Sequence, residues 1–127
     1  MMSIPAHERM FSGHWIGATQ GYAMPAHVWQ ITQQGARLTV ATRWEHSTQI
    51  TLLYARLAPD SAGFTLNGGS FHAVALGPQH FVVPGWDTND ARGGVGPHYD
   101  VIFARPGIAE LAAPARYRRY LSTAGGA

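Results

Sequence analysis

The chain has 127 residues, of which 46% are hydrophobic and only 13% are charged, and its formal net charge is +2. This length and composition predict one globular domain and exclude a disordered chain. All nine cationic residues are arginine, which excludes Schiff-base chemistry on a lysine. Because so few charges are available to keep surfaces apart, we expect self-association.

The sequence contains no cysteine, which excludes disulfides, thiolate nucleophiles and zinc-thiolate sites. The first nine residues lack the basic-then-apolar pattern of a signal peptide, and no apolar run approaches transmembrane length. We therefore expect a cytoplasmic protein with no membrane partner. Arg116, Arg118 and Arg119 could bind an acidic partner, but a solvated terminal segment is the favoured interpretation, and no nucleic-acid partner is expected.

Segments with a two-residue hydrophobic period recur along the chain, separated by Gly, Pro, Asn or Asp, which is typical of an all-β protein. The pattern predicts eight strands, at 12–19, 27–33, 36–45, 49–57, 63–67, 70–76, 79–84 and 98–105. Short turn sequences between most of them favour sequential antiparallel hairpins. Such a sheet removes its exposed edges best by closing, so we predict an eight-stranded antiparallel up-and-down β-barrel, with an open sandwich as the alternative.

The C-terminal segment 106–121 predicts one or two short helical turns, because Pro114 should interrupt any longer helix. In an up-and-down barrel the connections alternate between the two ends. The connections at 20–26, 46–48, 68–69 and 85–97 therefore share one end, which should be open. The compact turns share the other end with Trp15 and Arg105, and an indole stacked under a guanidinium would close it.

The motif Phe11-x-Gly13-x-Trp15 after a short polar lead resembles the opening of the lipocalins, whose Gly-x-Trp lies at the closed end of an eight-stranded barrel. Lipocalins also place an arginine at the end of the last strand, packed on that Trp, and Arg105 occupies the matching position. A third lipocalin landmark, Thr-Asp-Tyr, has no counterpart in Gly77-Pro78-Gln79. The resemblance implies a calycin-like barrel that holds a small ligand, without implying which one.

Strand parity identifies candidate ligand-binding residues on the inner wall. Alternation turns Trp29, Trp44, Tyr99 and Phe103 inward, with His27, His46 and His98 toward the open end. Trp86 lies in the long 85–97 segment, where it is expected to act as a lid. These residues predict either a pocket for a small apolar or aromatic molecule or a small barrel filled by its own side chains.

An enzyme of the same architecture is the alternative function. Glu45 and His98 are the candidate catalytic residues, because one general acid or base beside an apolar pocket suffices for a cyclase or isomerase. His46, Asp87 and Asp100 are further candidates at the same end, and no serine-hydrolase motif is present.

Metals and cofactors are not expected. Asp87, Asn89 and Asp90 resemble part of a calcium loop, but Ala91 and Arg92 break its pattern. The seven histidines show no paired spacing, so a haem held by one axial histidine is only a minor alternative. The 49–57 strand is apolar on both faces, which indicates a cover by a helix or, more simply, a homodimer.

Overall fold

The computed structural model describes residues 11–21, 23–44, 50–57, 63–66, 72–87 and 98–124, and for 44, 66, 86, 87, 98 and 124 it describes the backbone alone. The elements are β1 (Gly13–Thr19), β2 (His27–Gln34), β3 (Arg37–Trp44), β4 (Thr51–Leu57), β5 (Phe64–Leu66), β6 (Val74–Ala75), β7 (His80–Asp87), β8 (His98–Ala104) and α1 (Ile108–Ala124).

The eight strands form one antiparallel sheet in the order β5-β4-β3-β2-β1-β8-β7-β6. The first and last strands are neighbours, with Gly17 opposite Phe103. The outer strands β5 and β6 meet at a seam, where the amide of Ala73 donates to the carbonyl of Phe64 at 2.9 Å and Thr65 pairs with His72. The nearly closed up-and-down barrel predicted from the sequence is confirmed.

The prediction for β7 was wrong at its C-terminal end, because the strand continues beyond Pro84 to Asp87. A bulge between Val83 and Trp86 absorbs Pro84, which has no amide hydrogen for the ladder. The amide of Gly85 leaves the ladder and donates to the Asp100 carboxylate at 3.1 Å. Trp86 therefore lies on a strand, opposite Tyr99, and not on a loop.

The helix was also longer than predicted, since α1 runs through Pro114 without interruption. Pro114 is exposed, so its ring faces solvent, and the helix is held on both sides of it. On the N-terminal side the imidazole of His80 donates to the carbonyl of Ala109 at 2.7 Å. On the C-terminal side the Arg116 guanidinium donates to the carbonyl of Leu76 at 3.1 Å. Tertiary contacts thus offset the hydrogen bond that proline removes.

Helix α1 packs on the outer face of β8 and β7. Ala113 is buried against Ile102 and Ala104, and Tyr117 packs on the same cluster. Outward residues of β8 are therefore as buried as inward ones, which explains why this strand is apolar on both faces.

The outer face of β4 is not covered by α1 and exposes three large apolar side chains. Ile50, Leu52 and Tyr54 are 59%, 58% and 53% exposed. The homodimer expected from this strand stays a prediction, and the helix is excluded as the cover.

Sedimentation velocity at micromolar concentrations is expected to show a dimer, because apolar patches of this kind favour association. Leu52→Gln should weaken the dimer at least tenfold, whereas Ile108→Gln, on the exposed side of α1, should not change it. A wild-type protein that sediments only as a monomer would contradict the expectation.

Candidate functional site

The half of the barrel near Trp15 is filled by aromatic side chains. Six rings there are at most 1% exposed: Phe11, Trp15, Trp29, Phe64, Phe81 and Phe103. Phe81 lies at the centre of the cluster, with its ring centroid 4.5 Å from Trp15 and 4.7 Å from Phe103. These six rings belong to one buried core cluster in this half of the interior.

The closed end is built as the sequence predicted. The Arg105 guanidinium carbon lies 3.9 Å from the centroid of the Trp15 ring, within cation–π range. The guanidinium also donates to the carbonyl of Ser12, and the Trp15 indole donates to the carbonyl of Phe11 at 2.8 Å. Arg105 thereby ties the end of the last strand to the segment that precedes the first.

Trp29 and Phe103 form the boundary of the packed aromatic half on the side away from the closed end, with ring centroids 4.2 Å apart. The Phe103 ring lies over Gly17, where an added Cβ would come within 2.5 Å of it. Glycine is therefore required at this position of β1, because any larger residue would push Phe103 out of the stack. Beyond this level the inward residues Thr19, Thr42 and Tyr99 are only half-buried.

His27 is the polar side chain at this boundary. It begins β2, opposite Gly17 on one side and Trp44 on the other, and it is 6% exposed. Its Nε2 lies 3.5 Å from the Thr19 hydroxyl, and its ring lies 6.2 Å from that of Phe103. Burial lowers the pKa of His27 from its ordinary value of 6.5 to about 4, so the imidazole is neutral at pH 7.

Acidification should destabilise the protein through His27. The unfolded chain takes up this proton near pH 6.5 and the folded chain only near pH 4, so stability is lost as the pH falls through that window and levels off below it. The difference corresponds to about 3 kcal/mol in the free energy of unfolding.

Urea titrations at pH 7 and pH 4 measure the effect. His27→Phe should remove this part of the pH dependence, whereas the same change at the exposed His14 should preserve it. Equal pH slopes in wild type and His27→Phe would show that the imidazole is not buried in its neutral form.

The structure divides the predicted ligand-binding residues into two groups. Trp29 and Phe103 face inward as predicted, but they belong to the packed core. Tyr99 is half-buried beyond that core, and Trp44 and Trp86 lie in register with His27 and Tyr99, respectively.

The remaining site predictions concern residues with little or no structural description. Glu45 and His46 lie outside the described residues. The backbone of His98, the first residue of β8, pairs with Asp87, and the His98 side chain is not described. The catalytic assignment of Glu45 and His98 therefore stays a prediction.

Asp100, a further catalytic candidate, does not face the interior. Its carboxylate is hydrogen-bonded on the outside of the barrel. One oxygen accepts from the Gly85 amide and the other accepts from the Tyr117 hydroxyl at 2.8 Å. Burial, together with this hydrogen bond and the Asp100 charge, raises the pKa of Tyr117 to about 12. Asp100 thus joins the β7 bulge to α1.

Thr19 and Gly17 are site residues that the sequence analysis did not identify. A signal for Gly17 was available, since a glycine two positions after an inward Trp on the same strand leaves room for a large ring from a neighbouring strand. Thr19 offered no comparable signal, because threonine is common on both faces of strands.

The barrel is consistent with a calycin-like fold. No protein-family model matches the chain, and a search of curated proteins finds no match for it. Within the described part of the chain, no helix is both long and apolar enough to cross a membrane.

Proposed function

We propose that this protein binds a small apolar or aromatic molecule in the open half of the barrel interior, as a lipocalin-like binding protein of the cytoplasm. The observation that carries the proposal is the change in packing along the barrel axis. Aromatic rings fill the interior as far as Trp29 and Phe103, whereas Thr19, Thr42 and Tyr99 beyond them are only half-buried. A ligand resting above the Trp29–Phe103 pair would complete the burial of these side chains.

The chemistry of the open half supports an apolar ligand. Beside the half-buried threonines and Tyr99, the inward residue level with Thr19 on β8 is Val101, which is buried in the core cluster, and the Arg105 guanidinium lies at the opposite end. The expected entry lies between the connection at 20–26 and the segment after β7. That segment, 88–97, lies outside the described residues.

Native mass spectrometry of the purified protein is the primary test. A co-purified compound that dissociates intact would support a binding protein. If the protein is ligand-free and also fails to bind any of a panel of naphthalene derivatives inside the barrel, the proposal is wrong.

Tyr99→Ala should weaken binding of the neutral fluorescent probe N-phenyl-1-naphthylamine about tenfold, because an inward aromatic wall is lost. Tyr54→Ala is the matched control, since Tyr54 is 53% exposed on the outer face of β4. Fluorescence titration of both variants against wild type measures the difference. Equal weakening by the two changes would indicate that the probe binds the outside of the barrel.

The cyclase or isomerase alternative uses the same interior and is separated from simple binding by turnover. A compound recovered in rearranged form, with turnover abolished by His98→Ala and Glu45→Gln while binding persists, would favour the enzyme. Haem is tested in the same preparation, because bound haem has its own absorbance band.

A further inference from the structure

The bulge in β7 changes the register between β7 and β8 near the open end of the barrel. Before the bulge, Val83 is opposite Val101. After it, Trp86 is opposite Tyr99, so β7 has two residues between these pairs where β8 has only Asp100. Because side chains alternate along a strand, one extra residue exchanges the two faces of the sheet for every residue that follows it.

This extra residue decides which face of the sheet position 86 occupies. Phe81 and Val83 belong to the buried core cluster inside the barrel, so simple alternation from them would turn position 86 outward. With the bulge, position 86 is opposite Tyr99, which lies two residues before the core residue Val101 on the same strand. Residues directly opposite each other in an antiparallel ladder share a face. The bulge therefore places position 86 on the inner face.

Asp100 is the residue that holds the bulge. The amide of Gly85, whose φ is 68°, donates to one oxygen of the Asp100 carboxylate at 3.1 Å, and an ionised acceptor strengthens such a bond. The other carboxylate oxygen accepts from the Tyr117 hydroxyl of α1 at 2.8 Å. The carbonyl of Asp100 accepts from the amide of Gln20, just after β1, at 2.8 Å. Asp100 is thus fixed by two other elements while it binds the bulge.

We propose that Asp100 is a positioning residue of the ligand site: by holding the β7 bulge it keeps position 86 on the inner face beside Tyr99, where Trp86 contributes to ligand binding. The inference rests on the proposed function, since it names a residue that shapes that same interior. It also gives α1 a part in binding, because Tyr117 holds the Asp100 carboxylate from outside the barrel.

A double-mutant cycle on Asp100 and Trp86 tests the inference, with N-phenyl-1-naphthylamine as the probe and fluorescence titration as the measurement. Trp86→Ala should weaken probe binding about fivefold, because an aromatic side chain is lost from the site. Asp100→Ala should weaken it by a similar factor. In the Trp86→Ala background Asp100→Ala should have no further effect, since the residue that it positions is gone.

Asp100→Asn is the conservative variant and should restore binding to within about twofold of wild type. Its amide oxygen still accepts from the Gly85 amide, and its amide nitrogen can donate to the Tyr117 hydroxyl. Glu110→Ala is the matched control, because this carboxylate also accepts from a glycine amide, that of Gly107 at 2.8 Å, but at the other end of α1. It should leave the probe affinity unchanged.

Tyr117→Phe gives a milder form of the same test if Asp100→Ala does not fold. It removes one of the two hydrogen bonds of the Asp100 carboxylate and should weaken probe binding about threefold, again only when Trp86 is present. Tyr120→Phe, whose ring is stacked on Tyr117, is the control and should not change the affinity.

The outcomes separate this inference from the proposed function. Additive losses in the double variants, a failure of Asp100→Asn to restore binding, or full binding by Trp86→Ala would overturn the positioning role while the binding function stands. If the wild-type protein does not bind the probe, or binds it outside the barrel so that Tyr99→Ala and Tyr54→Ala weaken it equally, the proposed function fails and the inference falls with it.

Discussion

Trp15→Ala is expected to lower the free energy of unfolding by about 3–5 kcal/mol. The side chain is fully buried, and its ring packs edge-on against Phe81 with centroids 4.5 Å apart. Its loss would also leave the Arg105 guanidinium without its aromatic partner and the carbonyl of Phe11 without the indole donor. Urea denaturation followed by far-ultraviolet circular dichroism measures the change.

Tyr54→Ala provides the control for this truncation, because it removes an aromatic ring that is half exposed on the outer face. Exposed substitutions usually alter stability by less than about 0.5 kcal/mol. The role of Trp15 in closing the barrel would be refuted if both variants had the same denaturation midpoint as wild type.

Gly63→Ala is expected to lower the free energy of unfolding by about 3 kcal/mol or more, which is the upper end of the range usual for overpacking. A Cβ at this position would lie 1.4 Å from the carbonyl oxygen of Ala73. The obstacle is backbone and cannot rotate away, so β5 and β6 would have to separate. The Ala73 amide, which donates to Phe64 across the seam, should then exchange its hydrogen faster.

Gly35→Asn is the matched control for the seam. Gly35 has a φ of 60°, and an added Cβ would meet no atom within 4 Å. Asparagine tolerates this left-handed conformation, so only a small loss of stability is expected. If the Gly63→Ala variant is no less stable than the Gly35→Asn variant, that result would contradict the close approach of the two strands at the seam.

The face that each strand turns inward was predictable, because side chains alternate and only one face of most strands is apolar. The same reasoning placed Trp15 beside Arg105, since closure makes the first and last strands neighbours. The strand end at residue 84 and the helix break at Pro114 were predicted wrongly, and both positions are prolines. Proline removes a local hydrogen bond, but its effect on the element depends on tertiary partners, here Asp100 for the Gly85 amide and Leu76 for Arg116.

The candidate site was only partly predictable because periodicity gives the face of a residue and not its depth along the barrel axis. Trp29 and Tyr99 both face inward, yet Trp29 is packed at 4.2 Å against Phe103 and Tyr99 is half-buried. The depth of a residue depends on the register between neighbouring strands, for example Gly17 opposite His27, and the sequence does not give that register. For Asp100 the face was predictable, because Asp100 follows the inward Tyr99 on the same strand and alternation therefore turns it outward.

The pairing of β1 with β8 has a consequence for the order of folding. Ile16 is opposite Ala104, and these residues are separated by most of the chain. During synthesis β1 can pair with β2 early, but its other edge has no partner until the last strand has left the ribosome. Contacts of such long sequence separation slow folding and keep an apolar strand edge exposed meanwhile. Release of the nascent chain before residue 104 would therefore yield a species prone to aggregation, and completion of β8 is the step that ends this exposure.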